Sequence, residues 1–216
     1  RFETISGWNL GEIALLIGTV ETSFGFTDLI FSGFDPDISF VKRGTMDQLL
    51  LRPVNLTIQV LGSRFVMRRL GRVLEGIIIF IIALNMVEVH WSAVKIIYIS
   101  ITMISQVFAF GALFIMGSTI TLWTVERIEA INILTYGGVE MMSYPMDIFP
   151  GWLRHFFTYI IPFIFLNYFP MLYILDKPDP FHFPDLAKFV SPLAAFILFG
   201  IALKFWDFGV NHYQST

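Results

Sequence analysis

Apolar residues in this chain fall in long runs rather than in the alternating or amphipathic patterns of soluble elements. Five runs stand out, at about 10–31, 73–89, 96–125, 156–175 and 189–205. A helix needs about 20 predominantly apolar residues to cross a bilayer, so each run predicts one membrane-spanning helix. The second is the purest, with no polar side chain from Gly76 to Leu84. The first carries Glu12, Glu21 and Asp28, and Pro162 and Pro170 interrupt the fourth. The third exceeds the length a span needs, so it tilts or projects from the membrane. The predicted fold class is all-α: one polytopic transmembrane domain over residues 1–216.

Composition agrees. The chain is 56% hydrophobic and 14% charged, with 24 Phe, where soluble domains hold about 45–50% apolar and about 25% charged residues. A water-soluble core could not hide so much apolar surface, so the lipid bilayer is the first partner. The net charge of −3 offers no basic field for nucleic acid. Without cysteine there is neither disulfide nor thiol chemistry. The chain opens on Arg1 with no basic stretch leading into a short apolar core, so no signal peptide is visible.

Basic residues set the sidedness. Segment 35–72 holds Lys42, Arg43, Arg52, Arg64, Arg68, Arg69 and Arg72, seven of the fourteen Lys and Arg, which assigns it to the cytoplasm. Loop 88–95 is then external, 126–155 internal, 176–188 external and the tail after Lys204 internal. An odd number of spans places Arg1 outside, so a cytoplasmic start calls for one further span before it. Trp91, Trp123, Trp152, Tyr173 and Trp206 near span ends fit an interfacial aromatic belt.

Few residues suggest chemistry. Glu21 and Asp28 stand seven apart, two helical turns, and share a face, while Glu12 points roughly the opposite way. Intramembrane carboxylates often mark a pathway; the alternative is an interfacial or paired role. Residues 36–51 mix Ile38, Phe40, Val41, Met46, Leu49 and Leu50 with Lys42, Arg43, Asp47 and Gln48. They read as a short amphipathic helix, broken near Gly44 and ended at Arg52-Pro53. It either lies on the membrane or docks on a partner. Arg64, Arg68 and Arg72 follow at helical spacing and suit lipid phosphates. The four histidines lack metal-ligand spacing, and His155 with Asp147 is the thin exception to the absence of an acid–base pair. No G-x-x-x-x-G-K-[ST] loop is present, so ATP-driven transport would need another polypeptide for hydrolysis.

Four stretches in order carry a resemblance: Gly44 through Met46, Asp47, Leu49, Leu50 to Arg52-Pro53; Tyr144-Pro145 followed by Phe149-Pro150 and Trp152; Pro162 with Asn167, Tyr168, Phe169 and Pro170; and Phe205-Trp206, Gly209, Tyr213 and Ser215-Thr216. Together they resemble the permease subunit of type-2 ABC transporters, in particular a bacterial export subfamily. Phe169 stands where that pattern has a second Tyr. The resemblance implies a six-helix permease fold, five of whose spans are in this sequence. It implies a coupling helix within 36–53, which tips the amphipathic segment toward partner docking, with Lys42, Arg43, Asp47, Leu50 and Arg52 as coupling residues. It implies a short re-entrant element between the last two spans, assigned to 181–188. It also implies a second permease, identical or related, and a separate ABC ATPase subunit. ATP and Mg would bind that partner, leaving this chain with no cofactor and no catalytic residue. The location implied is the bacterial inner (plasma) membrane and the direction export, or efflux. The rival reading is a proton-coupled secondary transporter using Glu21 and Asp28.

Overall fold

The computed structural model describes residues 4–35, 44–124 and 129–213. A two-strand hairpin, β1 (Thr4–Ile5) and β2 (Trp8–Asn9), turns through Ser6 and Gly7 and leads into helix. In chain order the helices are α1 (Leu10–Ile30), the short α2 (Met46–Leu50) and α3 (Leu56–Gly62), α4 (Leu70–Met86), α5 (Ala93–Thr124), α6 (Glu129–Met142), α7 (Gly151–Tyr159), α8 (Phe163–Leu166), α9 (Tyr168–Ile174) and α10 (Ser191–Asn211). Three of them, α1, α5 and α10, are long and apolar enough to cross a membrane. At 17 residues, α4 reaches about 26 Å, the short end of what a span requires. The 32 residues of α5 reach about 48 Å, so this helix projects beyond a hydrocarbon layer of about 30 Å.

The bundle has two ends, named here for Arg69 and Trp8. Helix α1 starts at the Trp8 end, where the Asn9 side chain accepts from the Glu12 amide and the Glu12 carboxylate accepts from the Asn9 amide. This reciprocal cap satisfies two amide donors that the first helical turn leaves open. Glu12, which also pairs with Lys177 at 3.0 Å, is therefore a capping residue. Along α1 the hydroxyls of Thr22, Ser23 and Thr27 return to the carbonyl four residues back. A mostly buried helix thus carries polar residues without orphan donors.

Helix α4 lies antiparallel on α1 with almost nothing between the backbones. A Cβ at Gly18 would sit 2.6 Å from Phe80 Cα, and one at Gly76 2.5 Å from the Thr22 amide nitrogen. Gly11 faces Met86 and Gly25 faces Val73 in the same seam. Small residues at helix–helix seams permit such close packing in membranes. Helix α5 runs parallel to α10, from Tyr98 against Phe189, through Phe108 against Phe196 and Phe199, to Trp123 against Phe208.

The structure departs from the sequence expectation after α5. The stretch 126–155 is not one internal loop. Helix α6 runs antiparallel to α1, with Tyr136 on Phe24, Met142 O within reach of the Asn167 side chain that also bonds Leu16 O, and Asp147 accepting from Trp8. It therefore carries the chain back toward the Trp8 end. The fourth apolar run, 156–175, is not one continuous helix. Helix α7 and the α8–α9 segment meet at 72°. The break falls at Pro162, which has no amide hydrogen to continue a helical ladder. Arg154 at one arm packs on Phe181, and Tyr168 on the other packs on Phe181 and bonds Asp147. Phe157 and Phe163, near the bend, stack on each other deep in the bundle, and Phe163 also meets Phe110. Both arms thus carry residues at the Trp8 end, and the pair forms a bent hairpin. The element expected at 181–188 is instead a surface turn containing the 3₁₀ segment Asp185–Phe189, anchored where Tyr98 donates to the Lys188 carbonyl.

Candidate functional site

The segment between α1 and α4 closes the Arg69 end of the bundle. Helix α2 is short, but Met46 is fully buried and joins Val60 of α3, Phe31, Phe34 and Trp206 in one apolar cluster. Phe34 meets the Trp206 ring edge-on at 5.1 Å, which ties the segment to the end of α10. Gly33 passes so close to the Val60 carbonyl that no side chain fits there. Gln59 donates to the carbonyls of Leu49 and Val54, locking the α2–α3 turn.

Charges fasten this segment to α1. Arg69 pairs with Asp28 at 2.9 Å and with Asp35, and also donates to the Asp28 carbonyl at 2.6 Å. Arg72 stands 3.9 Å from Asp28, with its guanidinium over the Phe24 ring. Ser32 donates to the Arg64 carbonyl at 2.6 Å. Two arginines entering α4 thus hold the carboxylates at the exit of α1.

On the outer side of the segment Asp47, Leu50 and Arg52 are exposed. They share it with Leu51, Val54 and Ile58, the first 86% exposed. A mixed apolar and charged surface, carried on a helix rooted in the core, can receive a partner and pass its displacement inward. Three expected coupling residues, Asp47, Leu50 and Arg52, lie within one helical turn and its exit. Lys42 and Arg43 lie outside the described residues.

Glu21 and Asp28 part company. Asp28 is buried in the arginine cluster, whereas Glu21 is half-buried midway along α1, where the charged groups facing it are Arg72, Glu75 and Glu140. Glu75 and Glu140 are exposed. This lateral face of α1, α4 and α6 therefore carries three carboxylates and one arginine among apolar helices.

Sequence reasoning missed the contributions of Glu75, Glu140, Arg69 and Asn167. Asn167 stands at the α8–α9 junction, accepting from Gln106 at 3.0 Å and lying 3.1 Å from the Thr19 hydroxyl. It donates to Met142 O at 2.8 Å and to Leu16 O. It joins the hairpin to α1, α5 and α6. Its place beside Pro162 in a quoted motif was the only signal. Among the described residues no group of His, Asp or Glu could hold a metal ion, and His155 bonds its own helix at the Gly151 carbonyl. At the far surface turn Lys188 holds the Asp185 carboxyl below its ordinary range by a hydrogen bond and its charge.

Such a helical bundle, rimmed with exposed apolar side chains, defines an all-α polytopic membrane protein. The chain belongs to the ABC-2 family of transporter proteins, whose family model matches residues 1–216. It is thus a membrane permease component of an ABC transporter. No curated protein and no solved structure matches it.

Proposed function

We propose that this chain is the permease half of an ATP-driven exporter of the bacterial inner membrane, with the Arg69 end cytoplasmic. A separate ABC ATPase subunit, which binds ATP and Mg, docks on α2 and its exit. A second permease, identical or related, faces the carboxylate-bearing side of α1, α4 and α6, and the pathway runs between them. The carrying observation is the construction of α2, exposed at Asp47, Leu50 and Arg52 and rooted at Met46 beside Trp206. A push on the exposed face moves Phe34, the Asp28–Arg69 pair and the end of α10 together, as rigid-body switching requires. Carboxylates on a lateral face are costly against lipid, which supports covering that face with a protein partner or a watery path.

The test is Asp47→Arg with co-purification in mild detergent and transport in vesicles. The expected result is a folded permease that loses the ATPase, or retains it while hydrolysis no longer drives transport. Normal binding and transport would overturn the coupling assignment. The Glu21, Glu75 and Glu140 grouping also supports a proton-coupled carrier. That reading requires transport driven by a pH gradient with no ATPase bound, abolished by Glu21→Gln.

A further inference from the structure

An apolar cleft of about 640 Å³ opens between α1, α5 and α10, with α3 at its Arg69 end. Phe31, Leu61, Met103, Phe199 and Leu203 line it. Two serine hydroxyls on its wall are spent on their own helices, Ser23 on Thr19 O and Ser100 on Ile96 O. Its rim carries exposed Phe26, Ile30 and Ile104, so it opens sideways, toward the hydrocarbon layer. The volume lies in the range of about 300–1,000 Å³ that small-molecule sites occupy.

Charge marks one end. Ser32 sits between the cleft-lining Phe31 and Phe34 and bonds the Arg64 backbone, and Leu61 of the lining lies three residues before Arg64. Arg69 and Arg72 are committed to Asp28 and Asp35, but Arg64 and Arg68 make no ion pair among the described residues. One guanidinium nitrogen of Arg64 is buried without a hydrogen-bond partner. An arginine without an ion pair, tied through Ser32 to one end of an apolar, laterally open cleft, complements an anionic amphiphile.

We propose that the cleft holds one acyl chain of an anionic phospholipid whose headgroup lies beside Arg64. The site is distinct from the carboxylate-bearing face and does not depend on ATPase docking. The lipid acts as a packing element that fills the gap between α1, α5 and α10.

The test uses the full-length protein in phosphatidylcholine vesicles containing phosphatidylglycerol with a diazirine at the end of one acyl chain. After illumination, labelled peptides are quantified. Labelling should concentrate at Met103, Ile104 and Phe199, above the level at the exposed Ile78 and Ile82 of α4, and Met103→Trp should remove it while leaving the α4 label. Arg64→Gln should lower cleft labelling about fivefold, the factor that corresponds to about 1 kcal/mol per basic residue at an anionic surface. A phosphatidylcholine probe should label the cleft weakly and ignore that substitution. If Met103→Trp does not fold, the substitution at partly exposed Arg64 decides alone. Equal labelling of the cleft and α4 would reduce the occupant to bulk lipid and overturn the proposal. So would a protein helix in the cleft, of this chain or a second permease, detected as a cross-link from Met103→Cys.

Discussion

Replacing Arg69 by Met would test whether the α1–α4 junction is held by charge. The Arg69 side chain is 13% exposed, those of Asp28 and Asp35 10% and 9%. Removing one partner of a buried ion pair costs about 3–5 kcal/mol, because the other charge is left uncompensated. Arg72, 3.9 Å from Asp28, retains part of the compensation, so the expected loss is about 2–4 kcal/mol. For a chain of this size that lowers the melting temperature by about 4–16 °C, readable by tryptophan fluorescence in detergent. The discriminating variant adds Asp28→Asn and Asp35→Asn to Arg69→Met. With the orphaned charges gone, it should be markedly more stable than the single variant, since neutral replacement of a buried ionic group is often tolerated. A single variant melting within about 1 °C of the parent, or a triple variant no better than the single, would refute the reasoning.

Other expectations follow from the same geometry. Asn167→Ala should cost about 1–3 kcal/mol, since interhelical hydrogen bonds in membranes contribute about 0.6 and at most about 1.7 kcal/mol each; a cycle with Gln106→Ala should show coupling, and additive effects would deny the contact. Gly18→Leu should cost at least about 3 kcal/mol through overpacking against the Phe80 backbone, measured as lost folded yield and thermal stability; parental stability would show that the seam can part. The natural absence of cysteine permits a clean accessibility test: Glu140→Cys should react with a membrane-impermeant maleimide in the assembled transporter, and Ile82→Cys should not. Equal protection of both would remove the watery path from the α1–α4–α6 face.

Much of the architecture was legible in the sequence. Four of the five apolar runs contain the cores of α1, α4, α5 and α10, because uninterrupted apolar length has few other uses. Helix α6 was not legible. Its Gly137-Gly138 pair and Glu140 lower its hydropathy, and what sets its course along α1 is the packing of Tyr136 on Phe24 and the Asn167 bridge from Met142 to Leu16. The break between α7 and α8–α9 was only partly legible: Pro162 marks it in the sequence, but the 72° bend and the partners of Arg154 and Tyr168 are tertiary. For the candidate site, the amphipathic character around α2 was visible, but its root was not. Met46, Phe34 and Trp206 are 12 to 172 positions apart, and no local pattern joins them. Asp28 and Glu21 were alike by spacing; a salt bridge to a residue 41 positions away separates them.

The glycine seam between α1 and α4 has a mechanical meaning. Side chains between two helices act as springs, since each can change rotamer and absorb a fraction of an ångström. Where backbone meets backbone at Gly11, Gly18, Gly25 and Gly76, that compliance is absent. The pair behaves as a single stave about two helices wide, pinned at one end by Arg69 and at the other by the cap at Asn9. A tilt imposed where α2 is rooted reaches Trp8 and Asp147, beside the hairpin, with little loss along the way. The stiffness of the transporter then resides in residues that have no side chain.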